Sequence, residues 1–444
     1  MGKVIIVGAG LVGSLQAIYM AKKGFEVEVY ERRPDMRKQE LIAGRSINLA
    51  LSNRGWKAIA EADIQDEIKQ IAIPMKGRIM HDEEGNTTFQ QYGKEDEAIY
   101  SVSRGELNQK LMNCADKYDN VTFFFSHQCL DVDLETNELS FRNLEDGSEN
   151  KITADRIFAT DGAFSAIRKR LVRTDRFNYE QMYLDHGYKE LSIPAADGGG
   201  FKIDKNALHI WPRGEYMMIA LANEDGSFTC TLFFPFEGER SFNSLQTPEQ
   251  VETFFAEVFP DALELMPNLV KEYFENPTSS LVTIKCSPWN YQDKVLMMGD
   301  SSHAIVPFYG QGMNSGFEDC SVFNDIFLKN DSHWGNSFNE FSKTRKKDTD
   351  AISNLALQNF VEMRDLVGDE LFLLRKKIEK KIYTKYPKKW MPLYSQVTFS
   401  HIPYSEALAN GKRQEKIMSY IMEKENIEHV WDSQEVEDEI LEMI

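Results

Sequence analysis

Val4-Ile5-Ile6-Val7-Gly8-Ala9-Gly10-Leu11-Val12-Gly13 decides the fold. The unbroken β-branched run Val4–Val7 predicts a strand buried on both faces of a parallel sheet. Three glycines follow at G-x-G-x-x-G spacing. Gly8 permits a tight turn, Gly10 lets backbone approach a pyrophosphate, and Gly13 allows a helix to pack closely on the strand. Leu15, Ile18, Tyr19 and Met20 carry that helix on to about Gly24. A second strand, Val27 to Tyr30, ends at Glu31, which is placed to accept hydrogen bonds from an adenosine ribose. This βαβ unit serves NAD and FAD alike, and Glu31 would repel the 2′-phosphate of NADPH from this cleft. Arg32 and Arg33 are placed to contact adenine or pyrophosphate, although solvated arginines are common at such a position.

Two further strand ends tip the choice toward FAD. Arg156 to Ala159 is an apolar strand running into Thr160-Asp161-Gly162, followed by a helix with Arg168 and Arg170. Lys294 to Met298 is another, running into Gly299-Asp300. After it come Pro307-Phe308-Tyr309-Gly310-Gln311-Gly312-Met313-Asn314 and a helix beginning near Met313. N–H groups at a helix start attract negative charge, and reduced flavin carries its charge at N1 and C2=O. Each segment alone is an ordinary turn. Together the three strand ends are expected to meet at the carboxyl edge of one sheet, where α/β folds bind ligands.

The chain of 444 residues, 42% hydrophobic and 27% charged, has room for two or three domains. Its net charge of −19 argues against nucleic acid as a partner. The local cluster Arg32, Arg33, Arg37 and Lys38 leaves anionic small molecules open. Five cysteines (114, 129, 230, 286 and 320) stand at spacings that fit neither a disulfide framework nor a zinc site. The eight histidines match no metal motif and complete no catalytic triad, so neither a metal nor a catalytic side chain is expected. His303, near the flavin loop, is assigned a structural role. No apolar run approaches the roughly 18–20 residues of a membrane span, and Met1-Gly2-Lys3 runs straight into a strand without room for a secretory signal. A soluble, cytoplasmic protein is expected.

Phe228, Cys230, Leu232 and Phe234 alternate with Thr229, Thr231 and Phe233, as in a half-buried strand. With Met217 to Leu221 and the turn Asn223–Gly226 it forms a hairpin of an antiparallel sheet able to wall a ring. Core packing explains the same pattern. From Trp334 onward the pattern is helical. The runs Arg345-Lys346-Lys347 and Arg375-Lys376-Lys377 read as solvated faces, and the acidic tail from Ile417 to Ile444 as a surface helix or two.

The three strand-end motifs resemble those of the single-component FAD-dependent aromatic hydroxylases, the 4-hydroxybenzoate hydroxylase family. Longer stretches extend the likeness: Gly44–Ser52, Ser101–Arg104, His209–Arg213, Met217–Leu221, Ser227–Phe233, Gly299–Cys320, Val361–Arg364, Pro392–Tyr394 and Val397–Ser400. They span roughly residues 3 to 405. Mitochondrial members of the group carry a C-terminal membrane anchor, where this chain has its acidic tail, and that departure from the pattern implies a bacterial-type protein.

The resemblance implies an α/β fold with a Rossmann-like FAD-binding domain, an antiparallel β-sheet substrate domain and a helical C-terminal region. The expected bounds are 1–75, 100–178 and 280–332 for FAD, 76–99 and 179–279 for substrate, and 333–444 for the helices. Carried over by position, Gly8, Gly10, Gly13, Glu31, Arg32, Arg33, Ala50, Arg104, Cys129, Asp161, Asp300, Gly310, Gly312, Met313 and Asn314 would contact tightly bound FAD. Arg78, Tyr92, Asn359 and Tyr394 would hold the amino-acid end of an aromatic amino acid, Arg78 gripping its carboxylate as a planar fork. Leu208, Met217, Ile219, Leu221, Thr231, Phe233, Pro307, Phe308 and Met363 would surround its ring. NADPH would reduce the flavin, and O2 would supply the oxygen placed on the ring. Three other readings stay open from the sequence: a flavin-dependent hydroxylase of another small aromatic acid, a flavin-dependent reductase that does not activate oxygen, and a non-enzymatic nucleotide-binding sensor. No second dinucleotide fingerprint marks where NADPH docks, and the oligomeric state is not legible.

Overall fold

The computed structural model describes residues 2–38, 47–94, 97–363 and 370–444. Gly44–Ser46 and Arg364, parts of two of the segments quoted above, lie outside them.

Val4 to Val7 form the centre of a sheet because every side chain there is apolar and both faces are covered. Strand Lys3–Val7 pairs in parallel with Glu26–Tyr30 on one side and Arg156–Ala159 on the other. Val121–Phe124 and Val295–Met297 extend the parallel sheet outward. The short antiparallel strand Asn290–Tyr291 closes one edge. Helices Leu11–Lys22, Arg104–Ala115 and Gly312–Lys329 pack in the core around it. Two small antiparallel sheets flank it, one of Asn48–Leu51, Ile99–Ser103 and Ile73–Met75, the other of His127–Asp133, Glu138–Asn143 and Glu149–Thr153.

A seven-stranded sheet forms the second layer. Its order is Ser279–Ser287, Asn178–Ile193, Phe228–Pro235, Tyr216–Ala222, Ala207–Arg213, Gly77–His81, Thr87–Gln91. It is antiparallel except where Ala207–Arg213 meets Gly77–His81 in parallel, a departure from the expected all-antiparallel sheet. The parallel pair arises because Gly77–His81 enters from a long crossover rather than from a hairpin. Ser279–Ser287 also carries the sheet past residue 279.

Strand Phe228–Pro235 is buried on both faces, not half-buried as its alternation suggested. Cys230, Leu232 and Phe234 pack against Val251, Phe254, Phe255 and Phe259 behind the sheet. Phe233 on the other face meets Phe308, and shares a core with Ile352 and Phe360. Period two distinguishes the faces of a strand but not what covers them.

The helices from Trp334–Val361 onward cover the front of this sheet. The acidic tail is more than surface. Tyr404–Met422 and Gln434–Met443 bury Ile417, Met418, Ile421, Val436 and Ile440 with Ile378, Ile382 and Trp390 in a core of their own. Aliphatic spacing wins there over net charge, because one helix face suffices for burial.

Candidate active site

The three motif ends come together as expected. Val7 stands opposite both Tyr30 and Ala159, and Ala159 opposite Met297. Gly8, Glu31, Asp161 and Asp300 therefore stand along one sheet edge, where they line a cavity of about 820 Å³. That volume is at the upper end for small-molecule sites.

The glycines divide their tasks. Gly8 has φ +100, and a Cβ there would meet the Thr160 carbonyl oxygen at 2.6 Å. A Cβ on Gly10 meets nothing within 4 Å, because that position faces the cavity. On Gly13 it would lie 1.9 Å from the Gly8 carbonyl oxygen and 2.5 Å from Thr160 Oγ1. Gly13 thus seats the helix on the strand, and it does not line the cavity.

Glu31 is 6% exposed. Its Oε2 accepts from the Ala9 N–H at 2.9 Å, and its Oε1 from the Arg33 N–H at 3.0 Å and Nε at 2.8 Å. Burial opposes its charge, but the Arg33 guanidinium and these backbone donors hold its pKa below the ordinary carboxylate value. Asp161 is the reverse case. Its Oδ2 accepts from the Ala166 N–H at 2.7 Å, while its buried Oδ1 has no hydrogen-bond partner. Burial raises its pKa. An oriented, unpaired carboxylate oxygen at this edge suits a donor on a nucleotide, and together with the open Gly10 position it fits FAD. Arg32, Arg33, Arg104 and Cys129 also line the cavity.

The flavin loop contains more structure than a loop. A helical turn spans Asp300–His303, a 3₁₀ turn spans Pro307–Tyr309, and the 18-residue helix Gly312–Lys329 follows. Gly310 reverses the chain at φ +65, with Ala50 close behind it. Asn314 explains how the loop stays put. Its Nδ2 donates to the carbonyls of Ala50 and Gly310, both at 2.8 Å, and its Oδ1 accepts from the Ser52 N–H at 2.9 Å. Asn314 therefore braces the cradle rather than lining it, while Ala50, Gly310, Gly312 and Met313 line the cavity. His303 does not line the cavity: its Nε2 bonds Asp319 Oδ2 at 2.6 Å, and its ring packs on Trp289.

The other end of the same cavity is walled by one face of the large sheet. Met217 pairs with Phe233 and Ile219 with Thr231, so these four and Leu221 share a face by the two-residue period. Leu208, opposite Arg78, extends it, and Pro307, Phe308 and Met363 close it from the helical side. Arg78 enters from Gly77–His81. Its guanidinium lies 4.9 Å from the Tyr394 ring and 5.3 Å from the Tyr92 ring, and those two rings stack at 5.4 Å. Burial works against the Arg78 cation, yet Tyr394, Tyr92 and Glu362 beside it hold its pKa above the ordinary value. Burial drives the Tyr92 pKa well up, so its hydroxyl remains a proton donor. Arg78 Nε and the Tyr92 hydroxyl are buried without a geometrically satisfied hydrogen bond.

Asn359 stands apart from the other expected substrate contacts. Its Nδ2 donates to the Phe308 carbonyl at 2.6 Å, and Asn359 does not line the cavity. Sequence reading also passed over Tyr309, buried in the cavity wall and stacked on Tyr394 at 5.7 Å. Its place between Phe308 and Gly310 was the available signal. Tyr188 and Lys169 line the cavity too, with no sequence signal to mark them. Among the described residues no cluster of side chains could hold a metal ion, and no helix is long and apolar enough to cross a membrane.

A parallel sheet with this glycine fingerprint, a cavity along its carboxyl edge and a second sheet roofing that cavity define an FAD-binding flavoprotein. The family model described as an FAD binding domain matches residues 1–326. The fold is shared with 2-methyl-3-hydroxypyridine-5-carboxylic acid oxygenase, at TM-score 0.68 and 16% identity over 83% of this chain and 94% of that one. It is shared also with p-nitrophenol 4-monooxygenase from Pseudomonas putida, at TM-score 0.65 and 15% identity over 95% and 97%. Within that class the chain belongs to the kynurenine 3-monooxygenase family. It is 52% identical to the kynurenine 3-monooxygenase of Flavobacterium psychrophilum over 100% of this chain and 98% of the relative. To that of Dictyostelium discoideum it is 48% identical, over 94% and 93%.

Proposed function

We propose that this protein is an FAD-dependent monooxygenase that uses NADPH and O2 to hydroxylate L-kynurenine to 3-hydroxy-L-kynurenine. One observation carries the choice of substrate: the FAD cradle and the Arg78–Tyr92–Tyr394 cluster open into a single cavity with a ring-sized apolar wall between them. Kynurenine has a free α-carboxylate at one end and an aniline ring at the other, and it matches that polarity. A reductase acting on an uncharged substrate would have no use for a desolvated arginine there.

When bound, FAD would supply the redox chemistry, with NADPH as the reductant and O2 as the source of the oxygen placed on the ring. The remaining tasks fall to side chains and backbone. Arg78 takes the carboxylate through a bidentate pair, and the Tyr92 and Tyr394 hydroxyls serve its remaining lone pairs. Met217, Ile219, Leu221, Thr231, Phe233 and Phe308 fix the ring plane and keep water from the reacting carbon. The N–H groups at the start of Gly312–Lys329 favour negative charge on the flavin edge, with the whole helix dipole behind them. Asn359 acts by holding the Phe308 carbonyl.

All five cysteines are free thiols, which fits a reducing cytoplasm. The test is product analysis with kynurenine. NADPH and O2 consumption stimulated by kynurenine, with a product one oxygen atom heavier, is the expected result. Product from 4-hydroxybenzoate or anthranilate, but not from kynurenine, would overturn the reading.

A further inference from the structure

Arg54 lies outside the cavity, and its side chain is fully buried. It stands in the helix Asn53–Glu61, just after the strand that carries Ala50. Its donors are spent on one stretch of distant chain and one carboxylate. Nε donates to the Val397 carbonyl at 2.9 Å, Nη1 to Glu318 Oε1 at 2.6 Å, and Nη2 to the carbonyls of Gln396, at 3.4 Å, and Ile402. The guanidinium lies 3.9 Å from the centre of the Tyr404 ring.

Both ends of that arrangement reach the site. The gripped carbonyls begin in the helix Leu393–Thr398, which carries Tyr394. Beyond them the Tyr404 hydroxyl donates to Gln311 Oε1 at 2.9 Å, at the start of the flavin-loop helix. On the other side, Glu318 Oε2 accepts from Arg345 Nη1 and Asp319 Oδ1 from Arg345 Nε, both at 2.9 Å. Asp319 Oδ2 then accepts from the Gly299 N–H at 2.9 Å. Charge-assisted bonds thus run without a break from the helix of the substrate tyrosine to the strand end at Asp300. Two arginines face Glu318 and Asp319, and Asp348 Oδ2 lies 3.8 Å from Arg345 Nη1. A buried network of this kind is sensitive to the loss of any member.

We infer that Arg54 is a positioning residue for the amino-acid end of the substrate. It touches neither substrate nor cofactor, and it sets Tyr394 by fixing the carbonyls of Gln396, Val397 and Ile402 against the flavin-loop helix. The inference rests on the function proposed above. A lysine at this position keeps the charge but cannot span carbonyls and carboxylate with one planar fork.

The test uses FAD-loaded wild-type, Arg54→Lys and Tyr404→Phe proteins. FAD content and melting temperature are read alongside the Kd for kynurenine, from its perturbation of the flavin absorbance, and the KM and kcat. Arg54→Lys is expected to keep its FAD and to raise Kd and KM for kynurenine about tenfold or more, with kcat at saturation within about threefold of wild type. Tyr404→Phe, which removes one oxygen atom, is expected to raise both about threefold. A merely structural role would lower the melting temperature and the loaded fraction while leaving the Kd of loaded protein at the wild-type value; that result overturns the inference. If Arg54→Lys does not fold, Tyr404→Phe decides alone, and a wild-type Kd for that variant overturns it. Wild-type protein that neither binds nor oxidises kynurenine would instead overturn the proposed function, and this inference with it.

Discussion

Arg78 faces the cavity with two tyrosine rings beside its guanidinium and a buried Nε without a hydrogen bond. Under the proposed function, this is the cation that would receive the substrate carboxylate. Arg78→Ala is expected to raise the KM for kynurenine by an amount worth about 1–3 kcal/mol, with FAD content unchanged, because only the charge-assisted partner of the carboxylate is lost. Steady-state kinetics beside the flavin absorbance would check it, and an unaltered KM would sink the assignment. Arg345 shows the opposite lesson at the same scale. It opens a basic run that reads as solvated surface, yet it is 2% exposed and holds Glu318 and Asp319. Lys347, in the same run, is exposed as expected. Sequence spacing places residues on a helix face, but it does not reveal that two carboxylates of another helix wait there.

Among the elements, the glycine turn separates packing from binding. Gly13→Ala would push Cβ into the Gly8 carbonyl and displace the helix, so both apoprotein stability and FAD retention are expected to fall, by about 1–3 kcal/mol or more in stability. Gly10→Ala adds a methyl group only to the cavity. Its apoprotein should melt within a degree or two of wild type, since surface changes away from packed contacts cost about 0.5 kcal/mol or less, while FAD binds more weakly. Melting curves of the two apoproteins, with flavin-to-protein ratios after desalting, would test the division; equal apoprotein destabilisation would refute it. The βαβ unit was legible because its signals are local: a β-branched run, three glycines and an acidic residue within one short stretch. The double burial of Phe228–Pro235 was not, because the helices that cover it come from residues 248–275 on one side and beyond 300 on the other.

Across the whole molecule, one contact set ties strand Gly77–His81 to the helices behind the sheet. His81, on the strand of Arg78, meets Asp261 Oδ2 through Nδ1 at 2.6 Å and His209 Nδ1 through Nε2 at 2.9 Å. His209 Nε2 donates to the Asp204 carbonyl at 2.8 Å, so its Nδ1 accepts from His81. Burial depresses the His209 pKa from 6.5 to about 4. Below pH 6.5 the unfolded chain takes up a proton that the folded one refuses, and stability is lost as pH falls through that window. The loss amounts to about 3 kcal/mol by pH 4. Urea unfolding at several pH values would show it, and His209→Gln should flatten that part of the profile. A His209→Gln profile as steep as wild type between pH 6.5 and 4 would refute the attribution.

The sequence by itself determined the FAD cradle, from Gly8 to Glu31 and at the two later strand ends, because a parallel strand, its turn and its helix are written in adjacent residues. It also carried the resemblance that singled out Arg78, Tyr92 and Tyr394 across more than three hundred positions. Only the tertiary structure decided that Asn314 and Asn359 brace the loop and the Phe308 turn, that Tyr309 joins the cavity wall, and that Arg54 and Arg345 bind the C-terminal helices to the flavin side. Those outcomes depend on which hydrogen-bond acceptors are close once remote segments meet. The need to satisfy every buried charge and amide acts in space, not along the chain.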